Sequence, residues 1–162
     1  MASANPPFTV SDEAFRRAHD SKLNHVAEHT RRYIESDGED GHFWNGIPTL
    51  VLLSKGRRSG ELRRNALIYG RDDDAYVVVG SRGGHRNHPH WYLNLIDEPH
   101  ATVQVGQERF GVVVRTAQSA ERQRLWEVMV EIFPTYDEYR QKTTREIPIV
   151  VLSRTSEEAG QS

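Results

Sequence analysis

Six short runs rich in β-branched and aromatic residues constrain what this chain can fold into: PTLVLLSK (48–55), LRRNALIYG (62–70), YVVVGS (76–81), ATVQV (101–105), RFGVVVR (109–115) and IPIVVLS (147–153). GRRSG (56–60) is a turn between the first two, and RDDDA (71–75) breaks the second. Helical signals come late and few. Pro89 suits a first helical position and opens a short helix to about residue 96. Ser119 can cap a longer one to residue 132, with Leu125, Trp126, Met129 and Val130 as its apolar face, and Pro134 stops it. Thr135 followed by Glu138 is a capping-box signature for one more short helix carrying Tyr136 and Tyr139. Antiparallel strands with few, late helices favour a small β-barrel over a βαβ sheet, hence a mainly β, α+β fold with helices packed around it.

The N-terminal third reads differently. Residues 11–35 give one helix capped by Ser11, with a thin stripe of Phe15, Ala18, Val26 and Tyr33 in a very polar segment that suits the surface. SDGEDGHFWNG (36–46) reads as a linker rich in glycine and acid. The chain therefore divides into a helix and linker (1–46), the strand-rich domain (47–154) and a loose polar tail (155–162). No internal repeat is present.

Composition narrows the function classes. At 162 residues the chain can bury a real core as one domain. Lys and Arg number 21 against 23 for Asp and Glu, a net charge of −2, which disfavours a general nucleic-acid binder. The absence of cysteine removes disulfides, thiolate zinc sites and iron–sulfur clusters. Neither a secretory signal nor an apolar run of membrane-spanning length is visible, so a cytoplasmic protein is expected, with peripheral membrane contact left open.

Two histidine groupings raise the question of a metal. His25-x-x-Glu28-His29 matches a zinc-protease pattern, but in a chain with eight histidines a pattern this short arises by chance, and a solvated helix surface is the better reading. His85, His88 and His90 sit around Pro89 without a carboxylate among them, which suits imidazoles packing at a pocket edge. No metal is expected. The dense basic cluster is Lys55, Arg57, Arg58, Arg63 and Arg64 around Ser59 and Gly60. Arginine forks pair with phosphate or carboxylate, and glycines let backbone N–H groups approach an oxyanion, although a hairpin tip can also carry charge as decoration.

LLSKGRRSGELRRNALIYG, AYVVVGSRGGHRNHPHWYLNL and FPTYDEYRQKTTREIPIVVL, in this order, resemble the deazaflavin-dependent nitroreductase family. The resemblance runs from about Pro48 to Leu152. It implies a split β-barrel that binds coenzyme F420 and transfers hydride from the reduced cofactor to a quinone, activated enone or nitro compound. Lys55, Arg57, Arg58, Ser59, Gly60 and Arg63 match the part that holds the cofactor's phosphate and acidic tail. Ala66 stands where the family often has proline; Gly80, Ser81, Arg82, Gly83 and Gly84 match the loop beside the deazaflavin ring, with Arg82 where lysine is frequent. Pro89, Trp91 and Asn94 match the segment holding the ring, which is expected to stack near Trp91. Tyr69, Tyr136 and Tyr139, with Ser81, match the catalytic and substrate side, where Phe133 replaces a frequent tyrosine. The protein would act as a monomer or homodimer on a small conjugated acceptor. The rivals are the same fold holding FMN or haem, and a deazaflavin carrier without catalysis.

Overall fold

A computed structural model of the chain describes residues 12–20 and 24–155. It opens with α1 (Asp12–Arg17), β1 (His19–Asp20), α2 (Asn24–Glu35) and β2 (Phe43–Trp44). The strand-rich part follows as β3 (Ile47–Lys55), β4 (Leu62–Ile68), β5 (Gly70–Asp72) and β6 (Ala75–Val79). A single 3-10 turn (Arg82–Gly84) and α3 (His90–Asp97) lead to β7 (His100–Val105) and β8 (Glu108–Thr116), and α4 (Ser119–Ile132), α5 (Thr135–Gln141) and β9 (Ile149–Arg154) complete the chain.

Among the described residues nine strands form one sheet, ordered β1-β4-β3-β7-β8-β9-β6-β5 with β2 added on β3. Every pairing is antiparallel except β1 on β4. The sheet curls until Tyr69, just after β4, meets Tyr76 of β6 ring to ring at 5.4 Å, yet it does not close into a complete barrel. This is the α+β architecture expected from the strand series.

Burial on both faces explains the unbroken apolar runs. Leu50 and Leu52 of β3, Val78 of β6 and Val150 and Leu152 of β9 point into the curl, where Trp91, Tyr92 and Leu95 of α3 fill the middle. The alternate residues point outward. Val51 and Leu53 pack on Phe15, Tyr33 and Ile34 of the N-terminal helices. Val77, Val79, Ile149 and Val151 pack on Leu125, Trp126 and Met129 of α4 and on Tyr136 of α5.

The N-terminal third departs most from expectation. The single surface helix is two helices broken by β1, and Phe15 and Tyr33 are fully buried. The cause is Arg64, a buried guanidinium on β4. Its Nε and Nη2 meet Asp20 at 2.5 and 3.2 Å, and its Nη1 donates to the carbonyls of Phe15 and Arg16 at the end of α1. A buried charge must be fully partnered, and satisfying Arg64 draws residues 19–20 onto the sheet edge beside Arg63 and Arg64. Ser11, the expected cap, lies outside the described residues.

Smaller corrections follow the same logic. The acidic run expected to end a strand at residue 71 turns at Asp73 and Asp74, while Gly70–Asp72 pairs back on β6. Ser119 and Thr135 are inside their helices rather than capping them; Gln118 and Pro134 occupy the cap positions, without side-chain bonds. His29 is not solvated surface: its Nε2 lies 2.7 Å from the Gly41 carbonyl, to which it donates. Glu28 is exposed and pairs with Arg32, and the His25 side chain lies outside the described residues.

The segment read as a linker holds a buried hub. Tyr33 Oη donates to the Thr49 carbonyl at 2.9 Å and accepts from the Gly106 N–H at 2.7 Å. His42 Nδ1, 3.0 Å away, is then the donor to the same oxygen, leaving Nε2 to face Tyr69 Oη at 3.4 Å. Burial raises the phenols of Tyr33 and Tyr69 and lowers the His42 imidazole, so all three rings are neutral.

Two outcomes test this account. Arg64→Ala is expected to cost about 3 kcal/mol of stability in urea unfolding, because it leaves Asp20 with only the exposed Arg31 at 3.7 Å and strands two helix-end carbonyls, and Arg64→Lys is expected to recover little since one ammonium cannot span the fork. An unchanged midpoint overturns it. His42 has a folded pKa below its ordinary value, so protonation favours the unfolded chain. Its contribution is complete above about pH 6.5 and is lost as pH falls below that toward the folded pKa. His42→Gln is therefore expected to flatten the fall in Tm between about pH 7 and pH 5 relative to wild type; equal slopes count against it.

Candidate active site

The basic cluster forms the β3–β4 connection. The Gly56 N–H donates to the Glu61 carbonyl at 2.7 Å, the Gly60 N–H to the Gly56 carbonyl at 2.9 Å, and the Glu61 N–H to Ser59 Oγ at 3.1 Å. Gly60 has φ +76°, a left-handed conformation suited to glycine. Lys55, Arg57 and Arg58 line a shallow cleft of about 350 Å³ against Asp97 and Glu98 at the end of α3. Among the described residues Lys55 and Arg58 form no ion pair, whereas Glu98 is occupied by His100 at 2.7 Å.

Asn94 fixes that turn. The side chain is buried, and its Oδ1 accepts from the Arg57 N–H at 3.2 Å and from Arg57 Nη1 at 2.9 Å. Its Nδ2 donates to Ser54 Oγ at 3.3 Å. Arg63 pairs in register with Ser54, so it shares the face of β4 that looks toward Asn94, and its guanidinium lies 3.8 Å from Glu61. Ala66 pairs with Val51 and faces the N-terminal helices instead, apart from this group.

The glycine loop is built for packing as much as for access. A Cβ on Gly80 would stand 2.7 Å from Pro148 Cγ, and one on Gly84 (φ +82°) would stand 2.8 Å from the Tyr139 carbonyl. Only Gly83 faces open space. Arg82 is exposed, with φ +47°, and donates to the His88 carbonyl at 3.3 Å. The loop's organiser is Arg145, which was not among the expected site residues. It donates to the carbonyls of Gly80 (3.2 Å), Ser81 (2.7 Å) and His85 (2.8 Å), and its Nη1 faces His88 Nδ1 at 3.0 Å. The signal for it was present as the arginine of the Arg145-Glu-Ile-Pro motif. A fixed fork that satisfies several carbonyls is what an arginine does and a lysine does not.

The histidines and Trp91 serve this scaffold. His85 Nδ1 accepts from the Asn87 N–H at 3.0 Å, and His90 Nδ1 lies 3.4 Å from Arg57 Nη2. Burial, with Arg145 beside it, lowers the His88 imidazole, so it is the neutral acceptor for that guanidinium. Among the described residues no three metal-ligating side chains converge. Pro89 precedes α3 and brings it beside Gly80. Trp91 is 6% exposed inside the curled sheet, where its ring supports α3 and offers no open face for a cofactor ring.

The expected substrate-side tyrosines separate. Phe133, Tyr136 and Tyr139 pack together, with ring centroids 5.0 to 6.3 Å apart, and Trp44 of β2 adds its edge to Phe133 at 5.9 Å. Tyr69 is on the interior face with Tyr76 and His42; its neighbour Ile68 is the one that reaches the Phe133 group. Among the described residues the hydroxyls of Tyr136 and Tyr139 have no hydrogen-bond partner, whereas those of Tyr33, Tyr69 and Tyr92 do. Burial, with Tyr139 nearby, holds the Tyr136 phenol above its ordinary value and therefore protonated.

These parts are contiguous. The basic turn is tied to α3 through Asn94 and His90, α3 begins beside Gly80, and Gly84 rests on the backbone of Tyr139. A cationic cleft, a loop and an aromatic wall are thus linked in series by these contacts, α3 filling the inner face of the sheet and α5 packing on the outer one. A family model for F420H(2)-dependent quinone reductase matches residues 25–154. An F420H(2)-dependent quinone reductase of Mycobacterium tuberculosis (strain ATCC 25618 / H37Rv) is 38% identical over 130 residues, 78% of this chain and 87% of that protein. A solved F420-H2 dependent reductase superposes with TM-score 0.61 at 33% identity, covering 65% of this chain and 94% of its own. A domain-swapped dimer superposes at 0.63 with 32% identity, covering 82% of this chain and all of its own. The chain belongs to the F420H(2)-dependent quinone reductase family.

Proposed function

We propose that this protein is an oxidoreductase that binds reduced coenzyme F420 and reduces a flat conjugated acceptor, a quinone before an activated enone or nitro compound. The observation that supports this most is the chain of contacts from the basic turn of Lys55 and Arg58, through Asn94 and the 80–84 loop, to the backbone of Tyr139 on α5, which also carries Tyr136. The residues present suit the cofactor. Its phosphate and acidic tail need cations that are not already paired, and Lys55 and Arg58 supply them while Arg57 is held rigid by Asn94. Arg63 adds charge on the same face, and Ser59 and Gly60 shape the turn.

The bound cofactor supplies the hydride, and the protein supplies the remainder. Arg145 holds the Gly80–Gly84 backbone, with Arg82 and the open Gly83 at its surface, so that the loop forms one wall of the ring site. Pro89 and Asn94 position α3 behind it, and Trp91 supports that helix from within. In this reading the acceptor lies beside Tyr136 and Tyr139, whose hydroxyls are unpaired among the described residues. A phenol kept protonated by burial can donate a hydrogen bond to an oxygen gaining negative charge, and Ser81 offers a second hydroxyl at the loop. Tyr69, on the interior face with His42, has a structural part.

The assembly in this reading is a monomer or homodimer working on a small molecule in the cytoplasm. Among the described residues no helix is long and apolar enough to cross a membrane.

Side-by-side fluorescence titration with F420 and FMN is expected to show tighter binding of F420. In the same assay Arg58→Ala should weaken F420 about tenfold or more, as loss of one charge-assisted bond implies, and added salt should weaken wild type as well. Tighter binding of FMN overturns the reading. Tyr136→Phe and Tyr139→Phe are expected to leave F420 affinity intact while lowering kcat/KM for a quinone by roughly tenfold or more. Normal turnover by both variants assigns these tyrosines to packing alone.

A further inference from the structure

We infer that Trp44 is a specificity-determining residue for the acceptor, its indole forming the outer wall opposite α5 against which a flat conjugated ring lies. The inference rests on the reading that acceptors bind beside Tyr136 and Tyr139.

The hairpin that carries Trp44 is a rigid mount. Asn45 (φ +51°) and Gly46 (φ +80°) make a two-residue turn with both centres left-handed, and Phe43 and Trp44 pair with Pro48 and Ile47. Behind it the His42 carbonyl accepts from the Thr49 N–H at 2.6 Å, and the His42 ring is locked between Tyr33 and Tyr69. The fold uses His42 in this way. It makes no comparable use of the next aromatics, since Phe43 is 65% and Trp44 43% exposed.

An exposed indole on a stiff turn is costly to hydrate and has little entropy to lose on binding. Among the described residues its one aromatic neighbour is Phe133, edge-on at 5.9 Å, and Phe133 in turn contacts Tyr136 at 5.0 Å and Tyr139 at 6.3 Å. The aromatic group is therefore supplied from two distant parts of the chain. α5 contributes hydroxyls and β2 contributes a bare ring. A planar quinone hydrogen-bonded through its oxygen to the tyrosines is thereby offered a ring on its outer side. Ring contacts discriminate by area and flatness, so Trp44 acts on which acceptor binds and not on hydride transfer itself.

Fluorescence isolates this residue. The chain has three tryptophans; Trp91 and Trp126 are 6% and 4% exposed, which leaves Trp44 as the accessible emitter. With full-length protein and menadione as probe, wild-type emission is expected to be quenched saturably, and Trp44→Phe to abolish most of that response. In steady state with saturating F420H2, Trp44→Ala should raise the menadione KM about tenfold with kcat largely retained, and Trp44→Phe should recover part of the loss. F420 affinity and Tm should hold in both. An unchanged KM, or a Tm loss in Trp44→Ala that Trp44→Phe repairs without changing KM, makes the indole a plug on Phe133 and overturns the inference. So does weakened binding of Trp44→Ala to phosphatidylglycerol vesicles with KM unmoved, which makes it a lipid contact. Should wild type fail to oxidise F420H2, the proposed activity falls, and the quenching comparison alone still decides whether quinones meet Trp44.

Discussion

Burial on both faces of the same strands is the constraint on which the rest of this structure depends. A strand covered on one side alternates polar and apolar residues, whereas β3, β6 and β9 carry unbroken apolar runs (residues 50–53, 75–79 and 149–152) because helices cover the outside and the curl encloses the inside. Curling supplies the second face without a second sheet, but its open middle must be filled. α3 fills it with Trp91, Tyr92 and Leu95. Once α3 is committed to that role, its polar residues have to be satisfied wherever they fall, and Asn94 falls beneath the basic turn.

The polar network is thus a consequence of the packing. Buried donors and acceptors must pair, so Asn94 takes up Arg57 and Ser54, Arg145 takes up three loop carbonyls, and Arg64 takes up Asp20 and the end of α1. Each arginine joins segments far apart in sequence. Their combined effect is a loop and a turn each tied by several hydrogen bonds, which the proposed cofactor site needs because its groups must stand ready before the ligand arrives.

What the sequence made legible follows from the range of the interactions. Strands and late helices came out within a few residues because period and punctuation are local signals. The basic turn, glycine loop and α3 were grouped by motif order, and Asn94 and Pro89 bring the three into contact. The N-terminal third did not, because Arg64 acts across 44 positions to Asp20 and no periodicity records that. The glycine loop has a further use that no local signal records, since Gly80 and Gly84 leave the space that Pro148 and the backbone of Tyr139 occupy. Tyr69 and Tyr136 looked alike as substrate-side aromatics. Strand alternation separates them, placing Ile68 with Phe133 and Tyr136 and leaving Tyr69 on the interior face beside His42.

The two ends of the proposed site are built from different interactions, and this bears on how such a protein can change. The cofactor end depends on directional bonds: the Asn94 carboxamide to Arg57, the Arg145 fork to the loop, cations spaced by a fixed turn. Each has a narrow tolerance in distance and angle, so substitution there disturbs neighbours that share the same network. The acceptor end is a group of rings in edge contact, where energy follows area and shape more than angle. Phe133 and Trp44 can be exchanged for other apolar residues without stranding a buried polar group. Variation in the acceptor is therefore cheap for the fold and variation in the cofactor is not, a division set by where directional bonds end and ring packing begins.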